Sequence, residues 1–169
     1  MDLYLDTALR LGVAVFCGLL IGIDRDAREK PAGMRTLALV SLGAALATVS
    51  VSHITMFVGH PDAQSRVLQG VVQGVLAGIG FIGAGAILRR GKRDEVVHGV
   101  TTAATVWVAA ALGVTSGLGD WPVVILALVL VFLVLIVAKP IERRWLERLQ
   151  ALEEARHPAP PPPAADGPA

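Results

Sequence analysis

Cysteine, charge and the usual catalytic signatures are all scarce in this sequence. Its single cysteine, Cys17, excludes an intrachain disulfide and any cysteine-based metal cluster. It falls inside an apolar segment, where an inert buried thiol is expected rather than a reactive one. Charged residues make up 17% of the 169 positions against 54% hydrophobic ones, and mean hydropathy is +0.63. That balance belongs to membrane proteins rather than soluble ones. The histidines at 53, 60, 98 and 157 form no HExxH or other paired spacing, which argues against zinc catalysis. There is no GxSxG, no P-loop and no dinucleotide fingerprint, since the glycine series near 78–85 follows no strand and has no Lys-Ser/Thr after it. The start, Met1-Asp2-Leu3-Tyr4-Leu5-Asp6, lacks the basic region of a secretory signal, so the first apolar segment is expected to be retained.

What the chain does have is long apolar runs separated by short polar ones. The run from Val67 to Leu88 carries no charge and contains Gly70, Gly74, Gly78, Gly80, Gly83 and Gly85. Its length reads as a membrane span. Glycines that would weaken a helix in water serve in lipid as close-contact surfaces between helices. At ~100° per residue, Gly70, Gly74, Gly78 and Gly85 share one face, with Gly80, Gly83, Gln69 and Gln73 roughly opposite. This pattern predicts a helix flanked on two sides, in the middle of a bundle, with the glutamines on a side that has polar neighbours. The glutamines are read either as bonds to neighbouring helices or as part of a polar path. On this reading, leucine at Gly78 or Gly80 disrupts the bundle far more than leucine at Val129.

Four further spans are predicted. The first, Leu3 to Ile23, has Asp6 and Arg10 one turn apart and able to pair, then Gly18 and Gly22 at GxxxG spacing. The second, about Met34 to Val58, keeps Ser41, Ala45, Thr48, Ser52 and Thr55 within about 80° of one another, so that face is expected to meet protein. The fourth, about Val96 to Leu118, gathers His98, Thr101, Thr102, Thr105, Ala109 and Gly113 into an inward polar and small stripe. The fifth, Trp121 to Ala138, is aliphatic all round and suits a lipid-facing position. Residues 1–138 thus read as a transmembrane domain. Residues 139–157 read as a charged cytoplasmic helix, and 158–169 as a disordered proline- and alanine-rich tail.

All but two of the 15 Lys and Arg residues fall on the same side of an alternating five-span layout; the exceptions are Arg10 and Arg66. The positive-inside rule then places the N-terminus outside and the C-terminus in the cytoplasm. The expected fold is all-α, a polytopic membrane bundle of about five transmembrane helices. The basic run Arg89-Arg90-Gly91-Lys92-Arg93 is a topology signal on this reading, not a nucleic-acid patch.

Between the first two spans, Asp24, Asp26 and Glu29 offer hard oxygen ligands, but Arg25, Arg28 and Lys30 interleave with them and ion pairing is the more economical account. No metal site and no cofactor is assigned. Pro31 and Gly33 shorten the connection enough to bring Arg35 back towards the end of the first span. Asp24, Arg25, Asp26 and Arg35 are therefore the candidate functional cluster, expected to join the first two spans on the cytoplasmic side beneath the glycine helix.

Four stretches carry a family resemblance: Gly18 to Arg25, Lys30 to Thr36, Gly78 to Leu88, and Gly99 to Trp107. Their content, order and spacing resemble the membrane domain of the MgtC/SapB family of bacterial proteins over about residues 3–137. Asp24-Arg25-Asp26 stands where members usually show Glu-Arg-Glu. The resemblance implies a small multi-pass protein of the bacterial inner membrane, linked in some members to growth in low magnesium and to survival inside host cells. It further implies action through other membrane proteins, the rotary ATP synthase among them, in preference to magnesium transport. Virulence-type members carry a folded cytoplasmic C-terminal domain, where this sequence has a charged helix and a proline-rich tail.

Three function classes follow. A regulatory membrane protein fits small-residue faces suited to helix docking, with the lipid bilayer and other integral membrane proteins as partners and room for a homo-oligomer. A transporter or channel for Mg²⁺ or another small solute would use the hydroxyl and amide stripes, yet spans two to five contain no carboxylate at depth. An enzyme has only His98 and the nearby threonines in its favour, and is rejected.

Overall fold

A computed structural model describes residues 2–52, 61–88 and 99–156. They form five helices: α1 (Asp2–Asp26), α2 (Met34–Ser52), α3 (Pro61–Leu88), α4 (Val100–Leu118) and α5 (Trp121–Arg156). Among the described residues there is no strand. Helices α1 to α4 are long and apolar enough to cross a membrane, and Trp121–Val137 of α5 is a shorter apolar stretch. The fifth span and the charged segment read after Ala138 belong to one continuous helix. Beyond that position α5 continues with Pro140 inside it, through a run rich in Glu, Arg, Leu and Ala that favours helix. The proposed tail, 158–169, lies outside the described residues, as do His53, Thr55, His60, His98 and His157.

The chain divides into two units, Met1–Val129 and Leu130–Ala169. In the first unit the core lies between α1, α2 and α4, around Cys17 and Ile21, Leu37 and Ala45, and Val106 and Ala109, all buried. Helix α2 is the central element because small residues let its backbone be approached from two directions. From α1, a Cβ on Gly18 would come within 2.5 Å of the Leu37 carbonyl, and one on Gly22 would meet the Met34 backbone. From α4, a Cβ on Gly113 would collide with the Ser41 backbone, and one on Gly117 would lie 2.9 Å from the Ala45 carbonyl. The expected stripe of α2 is thus the α4 contact, with Ser41, Ala45 and Thr48 all fully buried. These paired positions rise together, so α2 and α4 run parallel, whereas α1 opposes both.

The glycine helix α3 is peripheral, which corrects its expected place in the middle. Gly83 meets the Ala103 side chain on α4, with 3.3 Å to a Cβ placed there, but Gly70, Gly74, Gly78, Gly80 and Gly85 have nothing within 4 Å of such an atom. Gln69 and Gln73 are exposed, and among the described residues neither side chain makes a hydrogen bond. The helical period showed correctly that two faces are small. Close approach also needs a neighbour with a matching small face, and the glycines of α1 and α4 are matched to α2. Leucine at Gly78 or Gly80 therefore meets open space within this chain, contrary to the expected disruption. On α5, Val124 is buried while Ile125, Leu126 and Val129 are exposed, as a lipid-facing helix requires.

Candidate functional site

Helix α1 ends on a turn that determines where its last side chains point. Lys30 N–H donates to the Arg25 carbonyl and Glu29 N–H to the Asp26 carbonyl, with Glu29 left-handed at φ 51°. This is the double hydrogen bond of a helix C-cap, with glutamate where glycine is usual. The chain reverses over residues 27–33 and enters α2 at once. Asp26 then accepts the N–H of Met34 at 3.0 Å through Oδ2, so the last residue of α1 satisfies the first free donor of α2. Asp24 instead pairs with Arg28 one turn on, at 2.8 Å.

Arg25 turns away from both acids and into the bundle, where only 3% of it remains exposed. One terminal nitrogen donates to Thr102 Oγ1 on the first turn of α4 at 2.5 Å and to the Pro31 carbonyl at 3.4 Å. A guanidinium buried at this depth is costly unless its donors are met. Its Nε has no partner among the described residues. A single side chain thus holds together the end of α1, the reversing turn and the start of α4, while Asp26 adds the start of α2. We call this arrangement the Arg25 latch.

Arg35, expected in the same cluster, lies elsewhere. It is exposed, and among the described residues it makes no ion pair. The correction has a simple cause: Gly33 carries no side chain, so Asp26 occupies the space beside it. The first turn of α2 is then held by a carboxylate and needs no arginine fork. Of the remaining expected positions, Thr102 and Thr105 are buried, Thr101 is exposed, and His98 lies outside the described residues.

A second arginine performs the matching task at the far end of the same helix pair. Arg10 keeps its expected pair with Asp6, Nε to Oδ2 2.7 Å, and also donates to the Gly117 carbonyl at 2.9 Å. That carbonyl belongs to the last turn of α4, where free acceptors and the helix dipole both favour a cation. Gly119 follows in the left-handed conformation at φ 79°, and a Cβ there would come within 2.9 Å of the guanidinium. The sequence signalled Arg10 only as a partner of Asp6. Its contact with α4 follows from the antiparallel register, in which 15 residues separate Arg10 from Arg25 on α1 and Thr102 from Gly117 on α4.

Two hydroxyls of the polar stripes are taken up by their own helices. Thr48 donates to the Ala44 carbonyl and Thr105 to the Thr101 carbonyl. Ser41 and Ser116 are fully buried, with no partner for Oγ among the described residues. Among the described residues no group of acidic, histidine or cysteine side chains is placed to hold a metal ion.

Residues 11–144 match the MgtC family, a stretch that takes in both arginine contacts except for Arg10 itself. The chain belongs to the MgtC family. Within it, this chain is 38% identical to Protein SrpB of Synechococcus elongatus, over 89% of its own length and 87% of that protein. It is 36% identical to Protein SapB of Bacillus subtilis over 68% of this chain and 48% of that one, and 42% identical to Protein MgtC of Salmonella typhimurium over 67% and 44%. It therefore spans most of SrpB but less than half of SapB and MgtC. No solved structure matches it. With four apolar helices of spanning length and this membership, the chain is a multi-pass membrane protein of the MgtC family.

Proposed function

We propose that this MgtC-family protein is a regulator of the bacterial inner membrane, without enzymatic activity, that acts by docking against other integral membrane proteins in magnesium homeostasis or stress adaptation. The observation that carries this reading is the exposed face of α3, where Gln69, Gln73 and Gly80 lie together, all three exposed, with none of the described residues within 4 Å of a Cβ at Gly80. An amide facing lipid lacks the hydrogen bonds it would have in water. A partner helix can supply them and use Gly80 for close approach. The close α1·α2 and α2·α4 contacts support the same reading, because the hydroxyl stripes that would have to line a solute path are spent on helix packing.

Two experiments test it. In a strain whose deletion of the gene impairs growth in low magnesium, Gln73→Leu is expected to lose most complementation at an unchanged membrane level, and purified protein in liposomes to leave Mg²⁺ flux at the protein-free rate. Saturable flux through the liposomes would favour the transporter reading and overturn this one. The orientation proposed with it, N-terminus outside and C-terminus cytoplasmic, rests on the distribution of Lys and Arg. A reporter joined after Arg156 is expected to be active only in its cytoplasmic form, and activity of an export-dependent reporter there would reverse the topology.

A further inference from the structure

A groove of about 600 Å³ runs between α2 and α3, on the side of α3 away from its exposed glutamines. Its size lies within the ~300–1,000 Å³ of small-molecule sites. The floor is made by Gly43, Gly74 and Gly78, each with open space where a Cβ would be. Leu39 and Ile82 line the walls, and the charged residue among those lining it is Arg35, at one end. The groove is apolar along its length and cationic at its mouth.

We infer that this groove holds one acyl chain of an anionic phospholipid whose phosphate is taken by Arg35. Two observations select that occupant. The first is length: from Arg35 to Ala44, the last α2 residue lining the groove, a helix rises ~14 Å, about half the ~30 Å hydrocarbon thickness. The groove therefore serves one leaflet, as a lipid tail does, whereas a helix of a partner or of a second copy would cross both. The second is charge. Asp24 is taken by Arg28 and Asp26 by the Met34 N–H, so the nearby acids of α1 are engaged while the Arg35 guanidinium is exposed at the mouth. A planar fork of donors at the end of an apolar channel matches a phosphodiester at the end of a hydrocarbon chain. This inference does not rest on the docking face of α3 and stands or falls separately from it.

The test is native mass spectrometry of the delipidated full chain, titrated with phosphatidylglycerol and with phosphatidylcholine of identical chains. One phosphatidylglycerol is expected to bind at least about fivefold more tightly than phosphatidylcholine, the value of one cation near a lipid headgroup. Arg35→Gln is expected to remove that preference, weakening phosphatidylglycerol more than phosphatidylcholine, whose phosphate is offset by its own choline cation. Gly78→Leu, which fills the groove, is expected to weaken both lipids, and Arg35→Lys to keep part of the preference. Helix content and thermal midpoint confirm that each variant is folded. Equal binding of the two lipids by the parent chain overturns the inference, as does a preference that survives Arg35→Gln. Competition by glycerol phosphate as effective as by the whole lipid would indicate a free-anion site and overturn it too, as would a dimer in place of the lipid adduct that Gly78→Leu dissociates.

Discussion

Gly113→Leu is expected to abolish the folded bundle, leaving no cooperative thermal transition in detergent, while Gly78→Leu keeps the parent midpoint. The first substitution drives a side chain into the backbone of α2 at Ser41. Overpacking against movable side chains costs ~1–3 kcal/mol, and a backbone obstacle cannot turn aside as a side chain does, so the loss should exceed that range. Retreat of α2 is blocked because α1 approaches its other face through Gly18 and Gly22 at similarly short range. Leucine at 78 adds its volume where nothing of the chain lies within 4 Å, and a change within ~0.5 kcal/mol is expected, as for surface positions generally. Equal midpoints for the two variants would show that α2 and α4 are not in backbone contact.

Arg25→Lys and Thr102→Val are each expected to lower stability by ~1.5–3 kcal/mol, the range for a hydrogen bond to a charged group. The lysine keeps the charge but cannot bridge Thr102 Oγ1 and the Pro31 carbonyl together, and the valine leaves a buried guanidinium without its closest acceptor. Because the two changes break the same contact, the double variant should cost clearly less than the sum of the singles. Arg35→Lys, on an exposed residue, should leave the midpoint unchanged. Low-magnesium growth should follow the same order if the latch positions α1 and α4 for function. A Thr102→Val protein as stable as the parent, or strictly additive single effects, would remove the latch from the account.

The reading of Arg25 and Arg35 shows where inference from the chain alone stops. Both lie in one short connection, and spacing placed them on the same side of the membrane. Which of them turns inward depends on Asp26, whose carboxylate fills the space beside Gly33 and caps α2, leaving Arg25 to reach α4. Thr102 is 77 residues from Arg25, and no periodicity links positions that far apart. In the same way, the partner of Gly117 at Arg10 could be named only once α1 and α4 were in register. By contrast, the buried parts of the small stripes, Ser41-Ala45-Thr48 and Thr102-Thr105-Ala109-Gly113, were legible, because a face of a helix is a local property of 3.6 residues per turn, although Thr101, read into the same inward stripe, is exposed.

The sequence by itself determined that this is an all-helical membrane protein of the MgtC family, where its apolar helices run, and which of their faces are small enough to be packed. The family came from four motifs and their order; the other properties come from run length, charge and helical period, all of which act within a few turns. Only the tertiary structure decided that α2 and not the glycine-rich α3 is the central helix, that Arg25 and not Arg35 is buried, and that Arg10 and Arg25 hold the two ends of α4. A glycine permits close approach without naming the helix that approaches. That choice belongs to the pairing of complementary faces and to the register at which donors and acceptors far apart in the chain come within reach.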